Sequence, residues 1–231
     1  ERLAEAGCQV TLIGRHLGRL TESADRIGDA AFVAPADVTD PDALAAAIEV
    51  GRDRFGPIDI LINNAGAASS APFLKTSAAD LRAMLALNLE APAEAMRLVL
   101  PGMLTRRWGR IVNVASTAGL KGYAYVSAYV AAKHGLVGLT RAVALEVAAK
   151  GVTVNAVCPG FTDTELVARS VAAITGKTGR TEDEARAALA ASNPQGRLIT
   201  PDEVAQTIVW LCGAGASGVN GVAVPVAGGE L

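Results

Sequence analysis

Residues 110–157, RIVNVASTAGLKGYAYVSAYVAAKHGLVGLTRAVALEVAAKGVTVNAV, decide the fold. Two short β-rich apolar runs, Arg110–Ala115 (RIVNVA) and Val152–Val157 (VTVNAV), bracket a helical pattern from about Tyr125 to Lys150. Short apolar strands alternating with longer helices are the signature of a parallel sheet wrapped by helices. The same rhythm extends outward in both directions. Gln9–Gly14 (QVTLIG) reads as a buried strand, Ala31–Ala34 begins another, and Ile58–Ile62 (IDILI) and Val222–Val226 complete the set.

Helix signals fall between the strands. Asp40 followed by Pro41 reads as an N-cap with proline at the first helical position. Ser77 with Asp80, and Thr200 with Glu203, have the spacing of capping boxes. Asp80–Thr105 is expected to be one flanking helix and 125–150 another. The expected architecture is α/β: a Rossmann-type, doubly wound parallel sheet in three α/β/α layers, forming one domain over residues 1–231. One stretch breaks the pattern. Phe161–Gln195 separates the Val152 strand from the Thr200 helix, with a helical pattern at Asp183–Ala191 and a flexible centre at Thr175–Gly179. Long insertions after strands of such sheets serve as lids, so a substrate lid is expected at about 161–196, against the alternative of a surface excursion.

Bulk composition removes several function classes. The formal net charge is −2 and no basic run tracks a phosphate backbone, so nucleic acid is not an expected partner. Arg106, Arg107 and Arg110 read as a solvated helix end, with a docking patch for an acidic carrier as the minority reading. Cys8, Cys158 and Cys212 are odd in number, in apolar contexts and without CxxC spacing, and read as buried free thiols of a reducing, cytoplasmic compartment. His16 and His134 are the only histidines, too few for a zinc site or a Ser-His triad, and no metal is expected. No apolar run reaches about 18 residues, so no membrane span is expected. Glu1–Gly7 reads as the back half of a helix, not as a signal peptide.

The chemistry concentrates around the tyrosines. Tyr123, Tyr125 and Tyr129 lie within seven residues, and only Tyr129 has a lysine four positions on, Lys133, which puts both side chains on one helical face. A phenol of pKa near ~10 is a poor base, and a nearby ammonium poises it for proton transfer. Ser116 closes the RIVNVA strand thirteen positions earlier, where a hydroxyl can stabilise a developing alkoxide. Asn88 is a polar residue between two leucines inside a helix, unfavourable unless its side chain has a task.

In type, order and spacing, Asn88, Ser116, Tyr129 and Lys133 resemble the catalytic tetrad of the short-chain dehydrogenase/reductase family. Asn63-Asn64-Ala65-Gly66, Asp37-Val38, and Pro159-Gly160 followed by Thr162 and Thr164 match further family motifs, and the likeness runs from Arg2 to Gly229. Residues 129–138 (YVAAKHGLVG) and 153–161 (TVNAVCPGF) are most similar to 3-oxoacyl-thioester reductases and polyketide ketoreductases. The resemblance implies that Tyr129 exchanges a proton with the substrate oxygen, that Lys133 lowers its pKa and holds the nicotinamide ribose, that Ser116 positions the substrate oxygen, and that Asn88 supports a proton-relaying water. It further implies that Asp37 and Val38 contact adenine and that Asn64, Ala65 and Gly66 line the adenosine ribose. Pro159, Gly160, Thr162 and Thr164 would border the nicotinamide and its carboxamide. Each has a plainer reading: Asn63 pins neighbouring strands, Asp37 caps a turn, Thr162 sits in a loop. Tyr123 and Tyr125 are expected to wall a pocket or pack, and His134 to pack.

An acid at the end of the second family strand suits NAD, whereas an arginine suits the 2′-phosphate of NADP. Here the strand ends Leu12-Ile13-Gly14-Arg15, so NADP is the expected cofactor, with NAD the alternative and Arg19 a possible assistant. The expected function is hydride transfer between NADP(H) and a ketone or acyl thioester substrate. The alternatives are an NAD-dependent hydroxyacyl or secondary-alcohol dehydrogenase, or a non-catalytic dinucleotide binder. The family's first strand and Gly-rich turn, roughly 20 residues, are expected ahead of Glu1. Family likeness also implies a homotetramer or homodimer, with the helix face at Ala131–Ala149 serving either as interface or as core.

Overall fold

Six strands form, and every ladder is parallel. The computed structural model describes residues Glu1–Leu231. β1 (Val10–Gly14) pairs with β2 (Ala31–Pro35), while β3 (Ile60–Asn63), β4 (Gly109–Val114), β5 (Val152–Pro159) and β6 (Ala223–Val226) lie side by side in that order. No ladder joins β1 to β3, so the sheet runs as a two-stranded and a four-stranded piece. The pieces still share a core, because Ile13 of β1 and Leu61 of β3 pack on the same apolar cluster.

β4 and β5 are buried along nearly their whole length, as expected for strands covered on both faces. Strand alternation then sorts the core. Ile111 and Val154 face α3 (Pro41–Phe55), α5 (Ala91–Arg106) and α6 (Ser127–Val147), meeting Leu44, Met96, Val99 and Ala144. Val112 and Val157 face the opposite way, onto Leu211 and Cys212 of α9 (Pro201–Cys212) and Leu3 of the short helix α1 (Arg2–Glu5). Burying each such aliphatic side chain contributes on the order of 1.5–3 kcal/mol. α2 (Leu17–Ile27) returns from β1 to β2.

The capping signals are realised. Asp40 accepts from the amides of Asp42 and Ala43 at 3.0 and 3.2 Å, and Ser77 and Thr200 close reciprocal boxes with Asp80 and Glu203. Four local expectations are corrected. The helix expected over 80–105 is α4 (Ala78–Leu85), a wider π-type turn at Ala86–Glu90, and then α5. α6 starts at Ser127, since Tyr125 adopts a left-handed φ of 68° that cannot continue a helix. Residues 175–178 belong to α7 (Glu165–Thr178), which ends on the left-handed Gly179 instead of loosening at a flexible centre. Val167 and Val171 of α7 hold it against Ala185 of α8 (Glu182–Ala190), and this packing outweighs the weak helix propensity of Thr175 and Gly176. Arg110 is not part of a solvated helix end: it lies in β4, 4% exposed, with its guanidinium over the Trp108 ring.

Candidate active site

Parallel ladders kept in step bring the carboxyl ends of the strands to one edge: Gly14 lies beside Pro35, Asn63 beside Asn113, Val114 beside Val157, and Pro159 beside Val226. The sequence-selected residues stand just past these ends. Arg15 follows β1, Asp37 and Val38 follow β2, Asn64–Gly66 follow β3, Ser116 follows β4, and Gly160–Thr164 follow β5.

Tyr129 and Lys133 lie on the first two turns of α6, with the Lys133 Nζ 5.7 Å from the Tyr129 ring centre. Lys133 is 4% exposed and its ammonium donates to the Val114 carbonyl at 2.8 Å. The helix sits close to the loop after β4: a Cβ at Gly119 would come 2.8 Å from the Lys133 carbonyl oxygen. Burial lowers the Lys133 ammonium from 10.5 to about 8. Burial likewise raises the Tyr129 phenol above its ordinary value, the Ser116 hydroxyl pulls the other way, and the Cys158 thiol adds to the rise. Cys158 itself, fully buried beneath Ser116, is pushed up to about 11.

Asn88 lies in the π-type turn, fully buried. Its Nδ2 donates to the carbonyls of Ala67 and Met84, both at 3.1 Å, leaving Oδ1 without a partner. A Cβ at Gly66 would stand 2.9 Å from that oxygen and 3.6 Å from the Lys133 Nζ. Asn88 and Lys133 therefore border one small space beside Gly66. An orphaned buried acceptor and an ammonium facing a cradle that only glycine leaves open suit the hydroxyl-rich ribose of a dinucleotide.

At the far side, the Arg15 guanidinium stands 3.6 Å from Asp37, a long pair between exposed groups and hence a weak one. The Asp37 carboxyl is held below its usual range chiefly by the amide and hydroxyl of Thr39, with Arg15 a lesser cause. Arg19 turns away from this corner and forms a fork with Glu165 at the start of α7, one contact at 2.8 Å. The hydroxyls of Thr162 and Thr164 brace their own loop, donating to the carbonyls of Gly160 and Thr162 at 3.0 and 3.2 Å. Asn63 pins strands, donating to Asn113 Oδ1 at 2.8 Å, and Asn113 continues inward to Thr140 at 2.9 Å.

Tyr123 meets Thr117 Oγ1 at 2.7 Å, donates to Glu230, and packs edge-on against Phe161 with ring centres 6.2 Å apart. Tyr125 is exposed. His134 does not pack: it is exposed, with Nδ1 2.9 Å from the Val130 carbonyl. Sequence reading did not find Cys158 or Glu230 as neighbours of the site. The apolar context of Cys158 gave only burial, and no motif surrounds Glu230.

A family model described as short chain dehydrogenase matches residues 1–175. A D-beta-hydroxybutyrate dehydrogenase of Cupriavidus necator is 41% identical over 195 residues, covering 84% of this chain and 76% of that protein. A 3-oxoacyl-(acyl-carrier-protein) reductase of Vibrio cholerae is 34% identical over 229 residues, 99% of this chain and 89% of that one. Among solved structures, an actinorhodin polyketide ketoreductase variant with NADPH superposes with a TM-score of 0.95 at 34% identity, over 99% of this chain and 90% of that chain.

Proposed function

The chain belongs to the short-chain dehydrogenase family, and from that premise we propose that it is an NADPH-dependent reductase of ketones of the 3-oxoacyl-thioester type. The coarser activity, NAD(P)-dependent interconversion of a hydroxyl and a carbonyl group, belongs to the family itself. One observation carries the finer reading. The Tyr129 phenol, raised above its ordinary value by burial, lies one helical turn from the buried Lys133 ammonium, which is fixed on the Val114 carbonyl. A protonated phenol is ready to give its proton, which is what reduction asks of it.

In this reading Ser116 donates a hydrogen bond to the substrate carbonyl oxygen and fixes its place. Tyr129 delivers its proton to that oxygen as alkoxide character develops. The Lys133 ammonium, held against Val114, favours the phenolate left behind. Asn88 Oδ1 offers the fixed acceptor from which a relaying water can return a proton toward Lys133. A bound nicotinamide supplies the hydride. Tyr129, Lys133, Pro159, Gly160, Thr162 and Thr164 would hold its end of the cofactor, and Asn64, Ala65, Gly66, Asp37 and Val38 the adenosine end. Arg15 would take the 2′-phosphate, which its exposure and the absence of an acid at Gly14 support. Residues 161–196, built on α7 and α8, would lie over the substrate as a lid.

A second reading, oxidation of a hydroxyacyl or secondary alcohol with NAD, draws on the hydroxybutyrate dehydrogenase relative. Three free cysteines support a reducing, cytoplasmic setting, and exposed Leu145 and Trp210 support assembly of copies into dimers or tetramers. The deciding experiment follows oxidation of NADPH and NADH with acetoacetyl-CoA, in wild type and Tyr129→Phe. The substitution is expected to cost on the order of 10²–10⁴-fold in turnover while cofactor binding persists. Undiminished turnover would refute the role of Tyr129, and faster oxidation of alcohols with NAD would favour the second reading.

A further inference from the structure

Between Ser116 and Tyr129 the chain folds a short loop whose first turn sets the place of the Ser116 hydroxyl. Thr117–Gly119 form one tight turn on Ser116. The Ala118 amide donates to Ser116 Oγ at 3.1 Å, and the Gly119 amide donates to the Ser116 carbonyl at 2.8 Å. Ser116 Oγ is thereby held as an acceptor, and its own proton is left to give. On the side of α6 the turn has no room to drift, because a Cβ at Gly119 would stand 2.8 Å from the Lys133 carbonyl oxygen. A lone turn of three residues has little stability of its own, so its position depends on what grips it from outside.

The grip is a line of side chains leading away from the turn. Thr117, 3% exposed, meets the Tyr123 hydroxyl at 2.7 Å, and Tyr123 donates its one hydroxyl proton to Glu230 Oε1. The contact between the two hydroxyls must then use the Thr117 proton, so the bonds run in one direction, from Thr117 to Tyr123 to Glu230. Burial holds the Tyr123 phenol above its ordinary range and Glu230 adds to the rise, so Tyr123 keeps the proton this direction needs. The Lys121 ammonium joins the same Glu230 oxygen at 3.1 Å and the Glu230 backbone carbonyl at 3.3 Å. Residues 117–123 are therefore held at Thr117, Lys121 and Tyr123 by one residue 107 positions beyond Tyr123. That anchor is itself fixed. Gly228 and Gly229 reverse the chain with φ of 60° and 92°, and a Cβ at Gly228 would fall 2.0 Å from Asn193 Oδ1. Asn193 in turn bonds Arg197 and Gln195, both at 2.8 Å.

We propose that Thr117, Tyr123 and Glu230 are positioning residues, a directed relay that fixes the turn on Ser116 so that the Ser116 hydroxyl is aimed at the substrate carbonyl before the substrate arrives. This rests on Ser116 and Tyr129 being the reducing centre. The three act on the reaction through Ser116: they keep a hydrogen-bond donor in its working place, which spares the transition state the cost of ordering it.

Tyr123→Phe cuts the relay and keeps the ring against Phe161. With acetoacetyl-CoA and NADPH, kcat is expected to fall about three- to tenfold and KM for NADPH to stay within about twofold, the loss of one hydrogen bond. Thr117→Val should match it. Glu230→Gln still offers Tyr123 an acceptor and should recover most of the wild-type kcat, whereas Glu230→Ala should fall at least as far as Tyr123→Phe. The deciding arm repeats Tyr123→Phe in a Ser116→Ala background. With no hydroxyl left to aim, the second substitution should cost less than about twofold. An equal fall in both backgrounds overturns the proposal and makes Tyr123 a wall of the pocket, and an undiminished kcat in Tyr123→Phe overturns it as well. Amide hydrogen exchange of the protein without substrate tests the relay apart from turnover. Ala118 and Gly119 should exchange about three- to tenfold faster in Tyr123→Phe and Thr117→Val than in wild type. Unchanged exchange overturns the relay. Faster exchange in a protein that reduces no ketone upholds the grip on the turn and refutes the reductase reading alone.

Discussion

Raising the pH should relieve a cost that Lys133 imposes on the fold and silence the enzyme over the same window. Its ammonium is 4% exposed with one backbone acceptor, and burial holds it at about 8, below the 10.5 of an open lysine. Below pH 8 both folded and unfolded chains carry the proton, and the folded state bears the full cost of a buried charge. Between 8 and 10.5 the unfolded chain keeps the proton that the folded chain has released, so the contribution of Lys133 to stability rises with pH. The total is about 3 kcal/mol, from the difference between the two values at about 1.4 kcal/mol per pKa unit. Activity has the opposite sign, because the proton that is lost is the one that supports the Tyr129 phenolate. Urea denaturation of wild type and Lys133→Met from pH 7 to 10.5 isolates the effect, since every other titrating group is common to both. The neutral variant should hold a stability advantage at pH 7 that shrinks by about 3 kcal/mol by pH 10.5. Wild-type kcat/KM for NADPH should fall above pH 8. Parallel stability curves for the two proteins would refute the placement of a charged amine in this site.

Two further substitutions probe the rest of the cleft. Gly66→Ala places a methyl group 2.9 Å from an Asn88 oxygen that cannot retreat, since Asn88 is held by Ala67 and Met84. Overpacking of about 1–3 kcal/mol is expected, seen in calorimetry as a Tm lower by roughly 3–10 °C, with weakened binding of the cofactor. An unaltered Tm and affinity would mean the cradle is slack. Arg15→Ala should raise KM for NADPH by roughly 10–100-fold and leave that for NADH within about twofold, the loss of one charge-assisted contact to phosphate. Equal losses for both cofactors in steady-state kinetics would remove Arg15 from the phosphate site.

Much of this was legible in the chain because two independent codes agree. Strand-period and helix-period patterns placed β1, β4, β5 and α6, and the polar residues that break those patterns fell at the strand ends, where parallel topology exposes them. Ser116, Tyr129 and Lys133 could be found because the helix repeat ties two of them to one face. What was not legible depends on distant packing. Nothing local marks Glu230, since its burial is set by Asn193 and Gly160, residues far away in sequence. The solvent exposure of His134 followed from where α6 meets its neighbours, not from its neighbours in sequence. Helicity through Gly176 came from the contact of α7 with α8. Arg19, a candidate assistant to Arg15 in the sequence, is held by Glu165, an ion pair spanning 146 positions.

The wider turn at Ala86–Glu90 has a consequence beyond seating Asn88. A straight α-helix of this length repeats its faces every 3.6 residues, so the direction of its first half dictates that of its second. One extra residue in a turn offsets the two halves by roughly 100°. α4 leans on α6, whereas α5 packs on α3, β3 and β4. The turn thus acts as a phase shifter within a single rod, letting the half that borders the cleft and the half that supports the sheet each present its own apolar stripe to a different partner.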